Sequence, residues 1–330
     1  MLLGTAYDSA RVRDDPDGAC ATLFWLQSHN PGVGQRMNRS RIQIAKPDIV
    51  RHFDGLPTCV LKAKDIYEIL SAQRDFWRLA QNTTAEQFIE FLLRHSKLKL
   101  YQFEFPQRTE RCYVWDSAPE LAILQGLKKD LHFSHYTAMR AQGLTEQTPK
   151  TIYLTEERTN SPVGTGELKQ EAIDAAFRKP ARTSNNWVEH DGKKIYLLNG
   201  TATQHLGVVH ELITDDSGEE VRARLTGLER TLVDVTVKPE YGGGVFEVLK
   251  AYELASERLS VNKLMAMVHK LEFVYPYHQA IGCYLQRAGY KTSQLDLVRR
   301  LPMKYDFYLA HYMGDTRYDP EWRLHVPNGF

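Results

Sequence analysis

The sequence predicts an α+β protein: a helical head closed by a β-hairpin, then a mixed α/β body with a helical C-terminal part. Three observations predict it. Apolar residues recur at helical spacing from Lys62 to about His95; the period shortens to two over LKLYQFEF and CYVW; and after a mixed middle the helical period returns for most of the last hundred residues. With 330 residues and 42% hydrophobic composition the chain can bury a sizeable core, and its length fits two folding units better than one.

The formal charge of +1 lacks the cationic excess of a non-specific polyanion binder, so any nucleic-acid surface has to be local. Cysteines 20, 59, 112 and 283 stand far apart with no CxxC pair, which argues against a disulfide framework and a zinc ribbon and fits a reducing cytoplasm. No segment approaches the roughly 20 apolar residues that cross a bilayer. The chain reads as soluble and cytoplasmic.

Residues 1 to 40, with DDPDG, SHNPGVG and QRMNRSR, read as a flexible leader, and Arg36, Arg39, Arg41 and Lys46 form a basic cluster at its end. In KAKDIYEILSAQRDFWRLA, residues Ile66, Ile69, Leu70, Phe76, Trp77 and Leu79 fit a helix. NTTAEQFIEFLLRH follows, with Thr83 three residues before Glu86 as a capping box and Phe88, Ile89, Leu92 and Leu93 facing inward. LKLYQFEF and CYVW are strands joined by the turn PQRTER. Two or three helices and then a hairpin is the order of a winged helix-turn-helix, which places that domain at 41–117 and the body at 118–330.

In the body, APELAILQGLKKD and SHYTAMRAQGL are short helices, the second opening at Ser134 and closing near Gly143. TIYLT is a strand, and TGELKQEAIDAAFRKP a helix capped by Thr165 and stopped by Pro180. KKIYLLNG, HLGVVHELI and VRARLTGL alternate as strands, with the turn DDSGE between the last two. GLERTLVDVTV, VFEVLKAYELA, SVNKLMAMVHKL and YPYHQAIGCYLQRAGY complete the helical end.

The triple glycine Gly242–Gly243–Gly244 raises the question of a phosphate loop. Nucleotide loops carry Lys and Ser or Thr after the glycines and a strand before them, whereas here Val245 and Phe246 follow and a helical pattern precedes. The glycines therefore read as a tight connection between two helices, the second offering Val245, Val248, Leu249 and Tyr252 to the first. On the first helix, Arg230 and Asp234 are spaced for an ion pair, exposed or within a buried polar network beside Glu229.

No GxSxG, HExxH, kinase or Walker sequence is present. His132 with His135, and His205 with His210, lack the companions of a zinc site and read as packing or capping residues. Glu167-Leu168-Lys169 has the E-x-K form of some metal-dependent nucleases, but in the first turn of a helix, where acidic residues are favoured anyway. The reading is a non-enzymatic chain with no catalytic residue, metal or cofactor. The alternatives are a metal-dependent nucleic-acid-processing enzyme built on Glu167 and Lys169, and a protein-interaction module that does not bind DNA.

Three stretches resemble a family. ERTLVDVTVKPEYGGGVFEVLKAY is similar to the signature of AbiEi-type antitoxins, the regulator half of type IV toxin-antitoxin and phage-defence operons; SHYTAMRAQGLTEQTPKTIYLT and YDPEWRLHVP resemble two further family blocks. The resemblance spans about residues 55 to 327 and is most specific in these blocks. It implies an N-terminal winged helix that represses its own operon at upstream inverted repeats. It also implies a C-terminal domain that counters an AbiEii-like nucleotidyltransferase toxin, often without a stable complex.

A winged helix of this kind needs cationic and amide side chains toward the duplex. The helix from about Thr84 offers Thr83, Thr84, Gln87 and Arg94, with Lys97 and Lys99 beyond its end and Gln107, Arg108 and Arg111 on the wing; Glu86 and Glu90 oppose them. For partner contact, Tyr275 and Tyr277 around Pro276, with Tyr241 and Arg287, form the expected region.

Overall fold

A computed structural model describes residues 40–159, 167–215 and 217–330. The leader, Arg36, Arg39 and Thr165 lie outside these residues. Residues 41–330 cluster as one compact unit.

The head starts with a helix that the apolar pattern scarcely announces. α1 (Arg41–Asp54) contains Pro47 and buries only Ala45, Ile49 and Phe53, one narrow stripe against α2 (Ala63–Gln73) and α3 (Ala85–His95). Between them, β1 (Val60–Leu61) pairs antiparallel with β3 (Arg108–Trp115), which in turn pairs with β2 (Leu98–Phe105). The capping box of α3 is Thr84 with Gln87, one residue later than expected: Thr84 Oγ1 accepts from the Gln87 N–H at 3.2 Å and Gln87 Oε1 from the Thr84 N–H at 3.1 Å. Thr83 is unavailable for that role because its own N–H closes the preceding turn on the Ala80 carbonyl.

The hairpin is a wall shared by two cores. Because side chains alternate along a strand, Leu98 and Trp115 face the head helices, while Phe103, Phe105, Cys112 and Val114 join the core of the body sheet. The junction expected near residue 117 thus follows a strand whose two faces serve different cores. Lys62 ties the same region, its ammonium donating to the carbonyls of Arg111 and Leu127.

The body carries a six-stranded mixed sheet in the order β6-β7-β5-β4-β9-β8. Its strands are β4 (His132–Phe133), β5 (Thr151–Glu157), β6 (Trp187–His190), β7 (Lys193–Gly200), β8 (Val208–Thr214) and β9 (Glu220–Thr226). β5 and β7 run parallel, with Thr155 opposite Leu198, and β4 lies antiparallel to β5. α4 (Glu120–Gln125) precedes β4, α5 (His135–Ala141) follows it from an N-cap at Ser134, and Gly143 closes α5 at φ +65 as expected. α6 (Gln170–Phe177) starts later than the sequence pattern predicts, capped by Lys169, so Glu167 and Lys169 sit in the extended approach and not in a first turn.

The helical end is α7 (Leu228–Val237), α8 (Val245–Leu254), α9 (Val261–Leu271), α10 (Tyr277–Arg287) and α11 (Thr292–Arg299), closed by a small sheet of β10 (Phe307–Tyr308), β11 (Thr316–Asp319) and β12 (Leu324–Pro327). No helix among the described residues is long and apolar enough to cross a membrane.

The glycines join α7 to α8 through a 3-10 turn, Pro239–Tyr241. Val248 and Tyr252 of α8 are buried, and the Tyr252 hydroxyl meets Thr236 Oγ1 of α7 at 2.9 Å. A Cβ on Gly242 would lie 2.9 Å from Val235 Cβ, so the first glycine serves close approach. Gly244 has φ 94 and ψ 172, a region open essentially to glycine alone, with nothing within 4 Å of a built Cβ. Gly244→Ala is therefore a pure backbone test: it is expected to lower unfolding free energy by about 1–3 kcal/mol in urea titration.

Candidate functional site

At the carboxyl ends of the parallel pair β5 and β7 lies a cavity of about 960 Å³. That end of an α/β sheet is where ligand crevices generally form. Its wall is drawn from segments far apart in sequence: His132 of β4, His135 of α5, Thr155 and Arg158 of β5 and its exit, Arg182 after α6, Asn199 to Thr203 of the end of β7 and its exit, Arg230, Asp234 and Lys238 of α7 and its end, and Lys270 to Val274 of the end of α9 and its exit. Five cationic side chains, Arg158, Arg182, Arg230, Lys238 and Lys270, face this space against Asp234 and Glu272.

Two of the blocks that resemble the antitoxin family meet here. Arg230 donates from Nε to Asp234 Oδ1 at 2.8 Å, from Nη1 to the Leu206 carbonyl at 2.6 Å and to Thr203 Oγ1 at 3.3 Å. Both charges are nearly buried, 11% and 13% exposed, so the pair is a structural network and not a surface ornament. The loop it clamps is also held by Glu157, whose carboxylate accepts from the Thr203 hydroxyl and N–H and from the His205 N–H. Burial pushes the Glu157 pKa up, but those donors prevail and hold it below the ordinary carboxylate value.

The other block supplies Ser134, whose Oγ lies 2.8 Å from His135 Nδ1 and 2.7 Å from Thr155 Oγ1. His135 stacks edge-on against Tyr241, whose hydroxyl accepts from the Ser184 N–H at 2.6 Å. His135 and Glu272 in the wall, and Gln204 and His205 directly after it, all have positive φ. Left-handed non-glycine residues are uncommon, and such strain concentrates where a surface is built for a purpose.

His132 is 1% exposed, and its Nδ1 has no hydrogen-bond partner. Burial pulls its pKa from 6.5 down to about 4, and burial lowers His135 likewise. The unfolded chain takes up a proton near pH 6.5 that the folded chain refuses until about pH 4, so stability is full above 6.5 and falls as pH drops through that window. The expected slope for His132 is up to about 1.4 kcal/mol per pH unit, read from urea titrations at about pH 7 and about pH 5. In a His132→Asn protein that component should disappear.

The side chains expected at a DNA interface are placed as follows. Thr84, Gln87, Arg94, Lys97, Lys99, Gln107, Arg108 and Arg111 are exposed and Thr83 is half-buried. Several are already engaged. Gln87 Oε1 closes the cap, Arg94 pairs with Glu90 at 2.6 Å, and Lys97 pairs with Asp54 at 2.8 Å. Arg108 pairs with Glu110 and with Glu156 of β5, both at 2.6 Å, which fastens the hairpin tip to the body. Among the described residues, the side chains of Lys99, Gln107 and Arg111 have no protein partner.

The expected partner-contact residues differ in exposure. Tyr241 is only 8% exposed because its ring packs on Tyr153 and its hydroxyl is bonded inward. Tyr275 and Tyr277 are half-buried around Phe307, and Arg287 lies over the Phe330 ring at 4.7 Å. Glu167 and Lys169 are exposed, and no three His, Cys, Asp or Glu side chains converge on a metal-sized site among the described residues. What sequence reading missed is Arg158, Arg182 and Lys270, while His132, read as a packing residue, is buried at the same wall. Only the charged Arg230 and Asp234 within an apolar helix signalled the cavity.

The fold and cavity define a mixed α/β protein with a helical head, a six-stranded sheet and a ligand-sized crevice at the carboxyl ends of two of its inner strands. This architecture is similar to that in the crystal structure of RV2827C protein from Mycobacterium tuberculosis, with a TM-score of 0.53 at 13% identity over 86% of this chain and 91% of that one. At that identity the likeness concerns the fold alone. No protein-family model and no curated protein matches the sequence.

Proposed function

We propose that this chain is the antitoxin and autorepressor of a type IV toxin-antitoxin operon in the cytoplasm. Residues 41–117 act as a winged helix on operator DNA, and the body counters a nucleotidyltransferase-like toxin of the AbiEii type. The observation that carries the DNA reading is the order α1-β1-α2-α3-β2-β3 with β1 closing the small sheet on β3. A winged helix is built in this order, with the helix before the hairpin offered to the major groove. Support for the antitoxin half is the resemblance of three sequence blocks, two of which line a common cavity.

In this reading α3 enters the groove by its N-terminal turn, and the unpaired Lys99 and Arg111 meet phosphates beside it. The ion pairs of Arg94 and Lys97 open only where phosphate replaces their carboxylates. Binding should therefore be modest and steeply salt-dependent, with a log–log slope of about −0.9 for each phosphate neutralised.

The test is a gel shift on DNA upstream of the operon across a salt series, with Lys99→Glu and Arg111→Glu proteins beside the natural one. Both variants should weaken binding and flatten the salt slope. Binding that ignores these substitutions and salt would sink the DNA reading. Co-expression with the adjacent toxin gene should restore growth, and an undiminished toxin phenotype would sink the antitoxin reading.

A further inference from the structure

We infer that the cavity is a binding site for a nucleoside phosphate, independently of any role in DNA binding or toxin control. Its 960 Å³ lies within the size range of small-molecule sites, and it adjoins a second groove of 470 Å³ with which it shares Glu272, Phe273 and Val274. The two spaces differ in chemistry. The first is cationic; the second is lined by Phe273, Tyr275, Pro276, Tyr277 and other largely apolar side chains.

That division matches a ligand with an anionic end and a flat aromatic end. Arg158, Arg182 and Lys270 are exposed at the cavity and their side chains have no protein partner among the described residues; Lys238 donates only to the Arg182 carbonyl, at 3.3 Å. Of the two carboxylates at the cavity Asp234 is taken by Arg230, which leaves Glu272 alone against these cations, and phosphate oxygens would balance the excess charge through charge-assisted bonds. Arg230 is saturated by Asp234, Thr203 and Leu206, so it forms a rigid wall and not a phosphate arm.

Glu272 stands where the two spaces meet, in a left-handed turn at the end of α9. A carboxylate between a phosphate site and an aromatic groove is placed to accept from ribose hydroxyls, a use familiar in nucleotide sites. Phe273 then borders the base. The assignment is thus phosphate at the arginines, sugar at Glu272, base in the groove.

The test uses the full chain with ATP and with inorganic pyrophosphate, by isothermal titration calorimetry. ATP is expected to bind with Kd below about 1 mM, and more tightly than pyrophosphate. An Arg158→Ala, Arg182→Ala double variant should weaken both ligands tenfold or more. Glu272→Ala should weaken ATP several-fold and leave pyrophosphate unchanged. All three side chains are exposed, so an unchanged thermal melt separates loss of binding from loss of fold. No ATP binding at about 1 mM, or ATP binding indifferent to the arginines, overturns the inference. Equal affinity for pyrophosphate with no effect of Glu272→Ala reduces the cavity to an anion site and overturns the nucleoside assignment.

Discussion

Trp322→Ala is expected to lower the unfolding free energy by about 3–5 kcal/mol, measured by urea denaturation. The residue belongs to the closing WRLHVP stretch, and its role is packing. The indole is fully buried, its Nε1 donates to Gln286 Oε1 at 2.7 Å, and its carbonyl accepts from the buried Gln279 side chain at 2.7 Å. The six-membered ring of the indole packs on α10 at Gly282, where a Cβ would overlap it. Gly282→Ala should therefore cost about 1–3 kcal/mol or more, although alanine is the better helix former by about 1 kcal/mol. In the Trp322→Ala background the sign reverses, because the new methyl enters vacated space and the helix gains. Costs that simply add in the double variant would show that ring and glycine do not share a contact.

Much of the architecture was legible because its elements announce themselves locally. The strand at VRARLTGL alternates, those at LKLYQFEF, TIYLT and KKIYLLNG are short runs rich in aromatic and aliphatic residues, and the helices around ERTLVDVTV and VFEVLKAYEL carry apolar stripes. Elements stabilised by distant partners were not. α1 holds a proline and few apolar residues, and its folding depends on Trp77, Phe88 and Trp115 from other segments. β10 and β12, strands of two and four residues, meet in a parallel pairing of two positions that no local pattern encodes. The double duty of the hairpin was hidden for the same reason, since Cys112 and Val114 look like one face of a wing until the body sheet covers them.

The cavity followed the same division. The Arg230–Asp234 pair is visible as an i, i+4 spacing, and its burial is hinted at by the apolar residues around it. Arg158, Arg182 and Lys270 each read as an ordinary solvated charge, because they sit at the ends of elements separated by tens of residues. Only the crossover that sets β7 beside β5, and α7 and α9 over their ends, turns them into one electrostatic feature. Topology, not motif, makes this site.

Asp234→Ala is expected to cost about 3–5 kcal/mol, more than the pair would contribute on its own account, because it strands the Arg230 guanidinium in a largely dry place. Attraction in a buried pair roughly offsets the desolvation of its charges, so removing one partner exposes the whole penalty of the other. An Arg230→Met, Asp234→Leu double variant should accordingly be more stable than Asp234→Ala, although it carries one more substitution. It does not regain everything, since the Leu206 carbonyl and the Thr203 hydroxyl lose the donors that clamp their loop. That residue of damage is informative: Glu157 still holds Thr203 and His205, so the loop stays attached while its far side loosens at the cavity rim. Urea titration of the three proteins fixes the order of stabilities. If Asp234→Ala proves no worse than the double variant, Arg230 is not desolvated as its 11% exposure indicates, and the pair belongs to the surface after all.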